Sequence, residues 1–168
     1  MRVILILFCV ACTSCKADPT IGYSSSSLYP KQYQSIAIPI FQNTTMTRDI
    51  EFMLTDAIVK EIQTRSPYRV VDKHAAQTLL SGTVTATSLR TLSRSQTTGL
   101  DNEVLFKVVV DFEWLDQISG KRIAGRKNFA SSAVFMPSRP SSEPLEIGQF
   151  AVVQQLASDI VDQMQASW

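Results

Sequence analysis

The residues with the clearest potential for chemistry are three cysteines, Cys9, Cys12 and Cys15, all close to the N-terminus. The last two follow Arg2 and the apolar run from Val3 to Ala11. That run is too short to span a bilayer, which needs about 20 apolar residues, but it suits the hydrophobic region of a secretory signal. Small residues stand directly before Cys12 and Cys15, as they do where a bacterial lipoprotein signal ends. We therefore predict that one of these two cysteines is acylated and becomes the mature N-terminus.

The choice between Cys12 and Cys15 stays open, with Cys15 preferred. Cys12 follows the apolar run at once, whereas Cys15 leaves a more usual signal length and a shorter tether. No cysteine occurs after Cys15, so a disulfide framework is not expected. The alternatives are an ordinary secretory signal, or a start site that hides a longer one. The preferred interpretation divides the chain into a lipoprotein signal peptide (1–14), a tether or N-terminal arm (15–34) and a single domain (35–168).

Catalytic chemistry is poorly represented in the rest of the chain. His74 is the only histidine, and it lies in a polar stretch that predicts a surface turn. Without a second histidine or a later cysteine, a zinc site and a Cys-His nucleophile are close to excluded. Ser81-Gly82 and Gly120-Lys121 fall in a predicted strand and a predicted hairpin, so neither predicts a phosphate-binding loop. We expect no metal, no cofactor and no enzymatic activity.

Asp111 and Glu113 are a candidate pair for acid–base work. They alternate with apolar residues, which places both carboxylates on one face of a strand. A catalytic pair, however, needs a pocket in which the environments of the two groups differ. The alternation is more typical of the solvated side of a sheet, and that is our interpretation.

The charge balance argues against nucleic acid as a partner. The chain has 16 Lys and Arg against 15 Asp and Glu, and residues 1–14 contain one of the cations, which leaves 15 of each. A neutral chain lacks the basic surface that a phosphate backbone requires. Residues 88–140 hold a small basic excess, which suits either anionic groups or an ordinary mixed polar surface. Its eight cations, against five carboxylates, are Arg90, Arg94, Lys107, Lys121, Arg122, Arg126, Lys127 and Arg139.

Hydrophobic periodicity predicts a β-α-β unit in the first half of the domain. Isoleucines at alternate positions indicate a strand over 35–41, which Pro39 confines to an edge or a bulge. From Thr47, the expected cap, apolar residues recur at helical spacing until Ser66-Pro67 stops the helix. Two short elements follow: a strand over 68–71 and one helical turn over 75–79.

The second half of the domain is rich in strand signals. Residues 103–116 alternate most clearly, with an apolar face and a polar face, as in an antiparallel sheet that is covered on one side. Two amphipathic helices and such a sheet must bury their apolar faces against each other. We predict an α+β two-layer sandwich with both helices on one face of a mixed, mainly antiparallel sheet, in the order β-α-β-β-β-β-α. The further elements are strands over 80–92 and 121–136 and a final helix with Ser142 as its cap and Glu143 and Glu146 in its first turn.

An ordered series of short motifs resembles the lipopolysaccharide-assembly lipoprotein family LptE, particularly its planctomycete-type members. Each motif is structural rather than catalytic, and the series runs along essentially the whole chain. The residues that carry the resemblance are the lipoprotein-type cysteine, Gly22-Tyr23, Ser27–Pro30, Ile36–Asn43, Ile50–Ala57, Lys60–Ile62, Ser66–Val71 and Leu80–Val84.

The resemblance implies an outer-membrane lipoprotein that faces the periplasm. It would bind the β-barrel translocon LptD as a plug and assembly partner, and so help to deliver lipopolysaccharide to the outer leaflet. The lipid-bearing cysteine carries over by position. As a hypothesis, we assign contact with the barrel or with lipopolysaccharide to the cations Arg90, Arg122, Arg126 and Lys127.

Two other functions stay open. The stretch from Ile36 to Asn43 also resembles the first strand of periplasmic lipoproteins that regulate a cell-wall synthase or form part of a secretion channel. A structural envelope lipoprotein without a dedicated partner is the third possibility. The partner that co-purifies with the chain distinguishes these functions: a large barrel, a synthase or channel, or none.

Overall fold

The computed structural model describes residues 28–97, 99–137 and 144–165. Cys12, Cys15, Ser142 and Glu143, on which predictions were made above, lie outside this part of the chain. The described residues form six strands and two helices. In chain order these are β1 (Ser35–Ala37), β2 (Gln42–Asn43), α1 (Ile50–Arg65), β3 (Arg69–Val70), β4 (Thr78–Arg94), β5 (Asp101–Asp116), β6 (Arg122–Phe135) and α2 (Leu145–Asp162).

The strands form one open, mixed sheet in the order β3-β1-β4-β5-β6, and β2 also pairs with β4. The short strand β1 pairs in parallel with β3 and with β4, and β2 pairs in parallel with β4. The long strands pair antiparallel, β4 with β5 and β5 with β6. The helices cover one face, since their apolar residues share a core with the apolar face of β5. This arrangement confirms the predicted two-layer α+β sandwich.

The first predicted strand is split into two. β1 ends at Ala37, and the chain pairs again only at Gln42. Pro39 has no N–H to donate to the ladder, so the break falls where the sequence required an edge or a bulge. Phe41 turns into the core at 2% exposure, and its N–H donates to Thr55 Oγ1 on α1 at 3.0 Å. The connection 38–41 therefore packs onto the sheet and the helix together.

Two local predictions are wrong. α1 begins at Ile50 after Asp49 in the left-handed region (φ 64°), and Thr47 does not cap it. Thr47 Oγ1 instead shares a 2.8 Å hydrogen bond with Thr87 Oγ1 on β4, so a tertiary contact displaces the local one. Residues 75–79 do not form a helical turn, because β4 already begins at Thr78. The Thr78 hydroxyl donates to Ser35 O of β1 at 3.1 Å, which ties the start of β4 to the sheet.

An aromatic cluster attaches the residues before β1 to the core. Tyr29 is 6% exposed and contacts Tyr68 edge-on at 5.8 Å between ring centroids. Trp114 lies 5.8 Å from Tyr68 and 5.9 Å from Tyr33. The Tyr68 hydroxyl donates to Pro30 O at 3.0 Å, and burial raises the pKa of this hydroxyl. The chain thus enters the domain beside the start of β1.

Candidate functional site

The sheet face opposite the helices is open to solvent. On β5 the side chains of Val108, Val110 and Trp114 are at most 1% exposed beneath the helices, while Asp111 and Glu113 point to the other side. Register brings polar residues of β4 beside these carboxylates, with Thr83 opposite Asp111 and Ser81 opposite Glu113. The predicted solvated face is therefore a surface with cross-strand polar pairs.

A cleft of about 510 Å³ lies on this open face. β4 contributes Ser81 and Thr83, and β5 contributes Asp111 and Glu113. The connection between β1 and β2 supplies the apolar part of the lining with Pro39 and Ile40, followed by Gln42 at the start of β2. The lining from β6 consists of Arg122, Gly125, Arg126 and Lys127.

Gly82 allows the β1–β2 connection to approach the sheet this closely. A Cβ at Gly82 would lie 2.3 Å from Phe41 Cε1 and 2.7 Å from the backbone oxygen of Asp111. The missing side chain thus leaves room for the Phe41 ring. With Phe41 in the core, Pro39 and Ile40 remain at the surface, and Ile40 is 58% exposed.

A β-bulge orients one carboxylate of the cleft. The register of β5 and β6 shifts between Val110 and Phe112, and Asn128 adopts a left-handed backbone (φ 54°). The Asn128 N–H donates to Asp111 Oδ1 at 2.7 Å. The Asp111 carboxylate therefore stabilises the bulge by accepting this backbone hydrogen bond. The Glu113 carboxylate, two residues further along β5, is exposed. The described residues contain no group of three or more acidic, histidine or cysteine side chains with metal-binding geometry.

Three of the four predicted contact cations line this cleft. Arg122 and Lys127 lie there beside the carboxylates. Arg126 also lines the cleft, but its Nε donates to Gln163 Oε1, beyond the end of α2, at 3.1 Å. Arg90 lies elsewhere: it is exposed on the distal half of β4, opposite Leu105.

The residues that the β1–β2 connection and β4 bring to the cleft were not predicted from the sequence. Pro39 was a usable signal, because a proline that interrupts an apolar strand marks a bulge against the sheet. Ser81 and Thr83 gave no such signal, since their position beside Asp111 and Glu113 depends on the β4–β5 register.

A hydrogen-bonded turn joins β5 to β6 at one end of this face. Asp116 accepts hydrogen bonds from the Ser119 hydroxyl at 2.8 Å and from the Ile118 N–H at 2.9 Å. These hydrogen bonds, the one from Ser119 first, hold the pKa of Asp116 below its ordinary value. Gly120 completes the turn with a left-handed backbone (φ 67°). This turn sets the register that delivers Arg122 to the cleft.

Comparison with known proteins places this fold in a family. The family model for lipopolysaccharide assembly, LptE, matches residues 33–167. The chain belongs to the LptE family. LptE proteins are non-enzymatic, membrane-associated lipoproteins of lipopolysaccharide assembly, which confirms the resemblance given by the sequence motifs. Comparison with curated proteins finds no significant match.

Solved structures share the fold at low sequence identity. The PelC dodecamer from Paraburkholderia phytofirmans is 18% identical with a TM-score of 0.53, over 84% of this chain and 96% of PelC. Uncharacterized lipoprotein B from Nitrosomonas europaea is 15% identical with a TM-score of 0.51, over 82% of this chain and 88% of that protein. At these identities the likeness establishes the fold alone.

The helices that the structure describes include none with the length and apolar character needed to cross a bilayer.

Proposed function

We propose that this LptE-family chain is an outer-membrane lipoprotein on the periplasmic side that binds an LptD-like β-barrel and plugs or assembles it for lipopolysaccharide insertion. An acyl group on Cys15, or on Cys12, anchors the chain, and the residues between the anchor and Tyr29, which is buried in the core, link the anchor to the domain. The observation that carries the proposal is the open, polar sheet face with its cleft, in a chain whose family works in lipopolysaccharide assembly.

The charge of the cleft favours a barrel wall over a phosphorylated lipid headgroup as its main contact. Its lining holds three cations, Arg122, Arg126 and Lys127, and two carboxylates, Asp111 and Glu113, which leaves an excess of one positive charge. A barrel lumen is polar. Such a wall pairs with Ser, Thr, Arg and carboxylate groups without leaving buried polar atoms unsatisfied. A multiply charged phosphate group would instead meet two carboxylates within the same cleft.

The first test is charge reversal in the cleft. The full chain is purified from membranes in mild detergent, and the co-purified barrel is quantified. Arg122→Glu and Lys127→Glu should each reduce the yield of barrel by roughly fivefold or more, since like charges across an interface cost several kcal/mol. Lys60→Glu is the matched control, because Lys60 lies on α1, away from the open face of the sheet. It is exposed to solvent and pairs there with the exposed Asp56.

The remaining predicted cations refine the position of the contact. A loss of barrel with Arg126→Glu but not Arg90→Glu would confine the contact to the cleft end of the sheet. A loss with Arg90→Glu would extend it along the distal half of β4. Unchanged barrel yield in all four variants would remove the open face from the proposal.

The intact mass of the mature protein tests the anchor. Acyl mass on Cys15 or Cys12, together with a large barrel in the eluate, is the expected result. An unmodified N-terminus would contradict the anchor, and a cell-wall synthase or a secretion-channel component in the eluate would favour the alternative function.

A further inference from the structure

The last seven residues of β6, Phe129-Ala130-Ser131-Ser132-Ala133-Val134-Phe135, form an edge of the sheet that no other described strand pairs with, here named the edge segment. β6 is the final strand in the sheet order and pairs with β5 on one side only. Within the described ranges, no backbone group donates to or accepts from the outer side of this segment. An edge of this kind presents a row of outward N–H and C=O groups that suit pairing with another strand.

The first half of β6 is protected against strand pairing, and the edge segment is not. Arg122, Arg126 and Lys127 put charge on the first half, and two register shifts interrupt its ladder with β5. Charges and bulges are the usual means of blocking an edge. The edge segment has no charged residue, proline or glycine, and its register is continuous from Val104 opposite Phe135 to Val110 opposite Phe129.

Ser132 lies midway between Phe129 and Phe135, and the residues between them are small or β-branched. Positions equidistant from Ser132 are compatible as cross-strand pairs, since an aromatic residue meets an aromatic residue and small or β-branched residues meet one another: Phe129 and Phe135, Ala130 and Val134, Ser131 and Ala133. In antiparallel strands related by a two-fold axis, each residue lies opposite its equidistant counterpart in the second copy. Every side chain also stays on its own face of the sheet, because equidistant positions have the same parity along the strand.

We propose that the edge segment is the contact of a homodimer, in which two copies of β6 pair antiparallel around a two-fold axis at Ser132. The two sheets then become one continuous sheet, with the helices of both copies on one side. Phe129 of one copy lies opposite Phe135 of the other, an aromatic cross-strand pair on the helix side. The clefts of both copies remain on the open side, so this contact is separate from the proposed barrel surface.

The distribution of charge agrees with this register. Lys127 of one copy lies opposite Pro137 of the other, where proline ends the pairing. The two copies of Lys127 are then ten residues apart along the strands, roughly 33 Å, too far for repulsion at physiological salt. A second copy also fits better than a strand of the translocon, because a closed barrel has no free edge to offer.

A disulfide trap tests the register directly. In the full chain with Cys9, Cys12 and Cys15 changed to Ser, only position 132 lies opposite itself. Ser132→Cys should therefore give an intermolecular disulfide under mild oxidation, since opposite Cβ atoms in antiparallel strands are about 4.5–5.5 Å apart. Ala130→Cys is the matched control: it is exposed on the same face, but the two copies of residue 130 are four residues apart, roughly 13 Å, beyond disulfide reach.

A charge variant tests the association itself by sedimentation over a range of protein concentrations. Ser132→Lys places two ammonium groups opposite each other and should raise the dimer dissociation constant by more than about tenfold. Ser88→Lys, an exposed open-face position on β4, should leave it unchanged. A wild-type chain that stays monomeric at about 100 μM, where an interface of this kind should associate, would overturn the proposal. Equal trapping at 130 and 132 would overturn it as well, and the trap decides the matter if Ser132→Lys fails to fold.

Discussion

The two faces of β5 lie in opposite environments, one buried beneath the helices and the other open to solvent. On one face, Trp114 is 1% exposed and packs in an aromatic cluster with Tyr33 and Tyr68. On the other, the adjacent Glu113 is exposed beside a cleft. The even-numbered residues of this strand thus pack in the core, and its odd-numbered residues place polar groups on the open face. Residues for stability and residues for recognition therefore alternate along this strand.

The sharpest test of this comparison substitutes two adjacent residues. Trp114→Ala should lower the free energy of unfolding by about 3–5 kcal/mol, the usual cost of removing a buried aromatic side chain. Trp114 Nε1 has no hydrogen-bond acceptor among the described residues, so the loss is one of packing. Glu113→Ala should change it by less than about 0.5 kcal/mol. Urea denaturation measures both, and similar values for the two variants would contradict the division between faces.

Gly82→Ala tests the point where the β1–β2 connection meets the sheet. The added methyl group collides with the Phe41 ring and with the backbone oxygen of Asp111, so we expect destabilisation of about 1–3 kcal/mol. Adding Phe41→Leu should recover part of this loss, because the collision with the backbone oxygen remains. Ser81→Ala, one residue away on the open face, serves as the control. Thermal unfolding that is unchanged in Gly82→Ala would show that the cleft wall is loosely packed.

Arg65 tests the contribution of polar contacts between the two helices on their solvent-exposed side. It donates to Glu61 Oε2 at 3.2 Å and to Ser158 Oγ at 2.8 Å, and it forms an ion pair with Asp162. Because its side chain is 33% exposed, Arg65→Ala should cost only about 0.2–1 kcal/mol, and less at high salt. Lys60→Ala, which removes a single exposed ion pair, is the control. A loss of unfolding free energy comparable to that of Trp114→Ala would mean that these surface ion pairs stabilise the packing of the helices as much as the core does.

The smallest expected effect is at the end of β5, where the alternation stops. Hydrogen bonds lower the folded-state pKa of Asp116, so its contribution to stability is present above the ordinary carboxyl pKa, near 3.9, and is lost as the pH falls through the folded value. The stability difference between wild type and Asp116→Asn should therefore be larger at neutral pH than in acid. Denaturation at several pH values checks this, with Ser119→Ala expected to reduce the same pH dependence. A difference that grows in acid would contradict the assigned direction.

Alternation and helical periodicity predicted what depends on one element at a time. The buried face of β5, the core-facing residues of α1 and the two-layer arrangement all follow from apolar residues that require cover. The cap at Thr47 was wrong because a hydroxyl has several acceptors within reach, and Thr87 is distant in sequence. The helical turn over 75–79 was wrong because the hydroxyl of Thr78 bonds to β1, a partner that no local pattern contains.

The ordered motifs of the sequence already indicated the family. The spacing of its apolar residues determined the fold class and the open polar face, because burial of apolar side chains follows spacing along the chain. Tertiary structure alone decided that Arg122, Arg126 and Lys127 share a cleft with Pro39 and Ile40, while Arg90 lies apart from it. Those neighbours depend on strand register, on two bulges and on the Phe41 ring packed against Gly82. Register is a property of pairs of strands, and a one-residue shift would turn every one of these side chains to the other face.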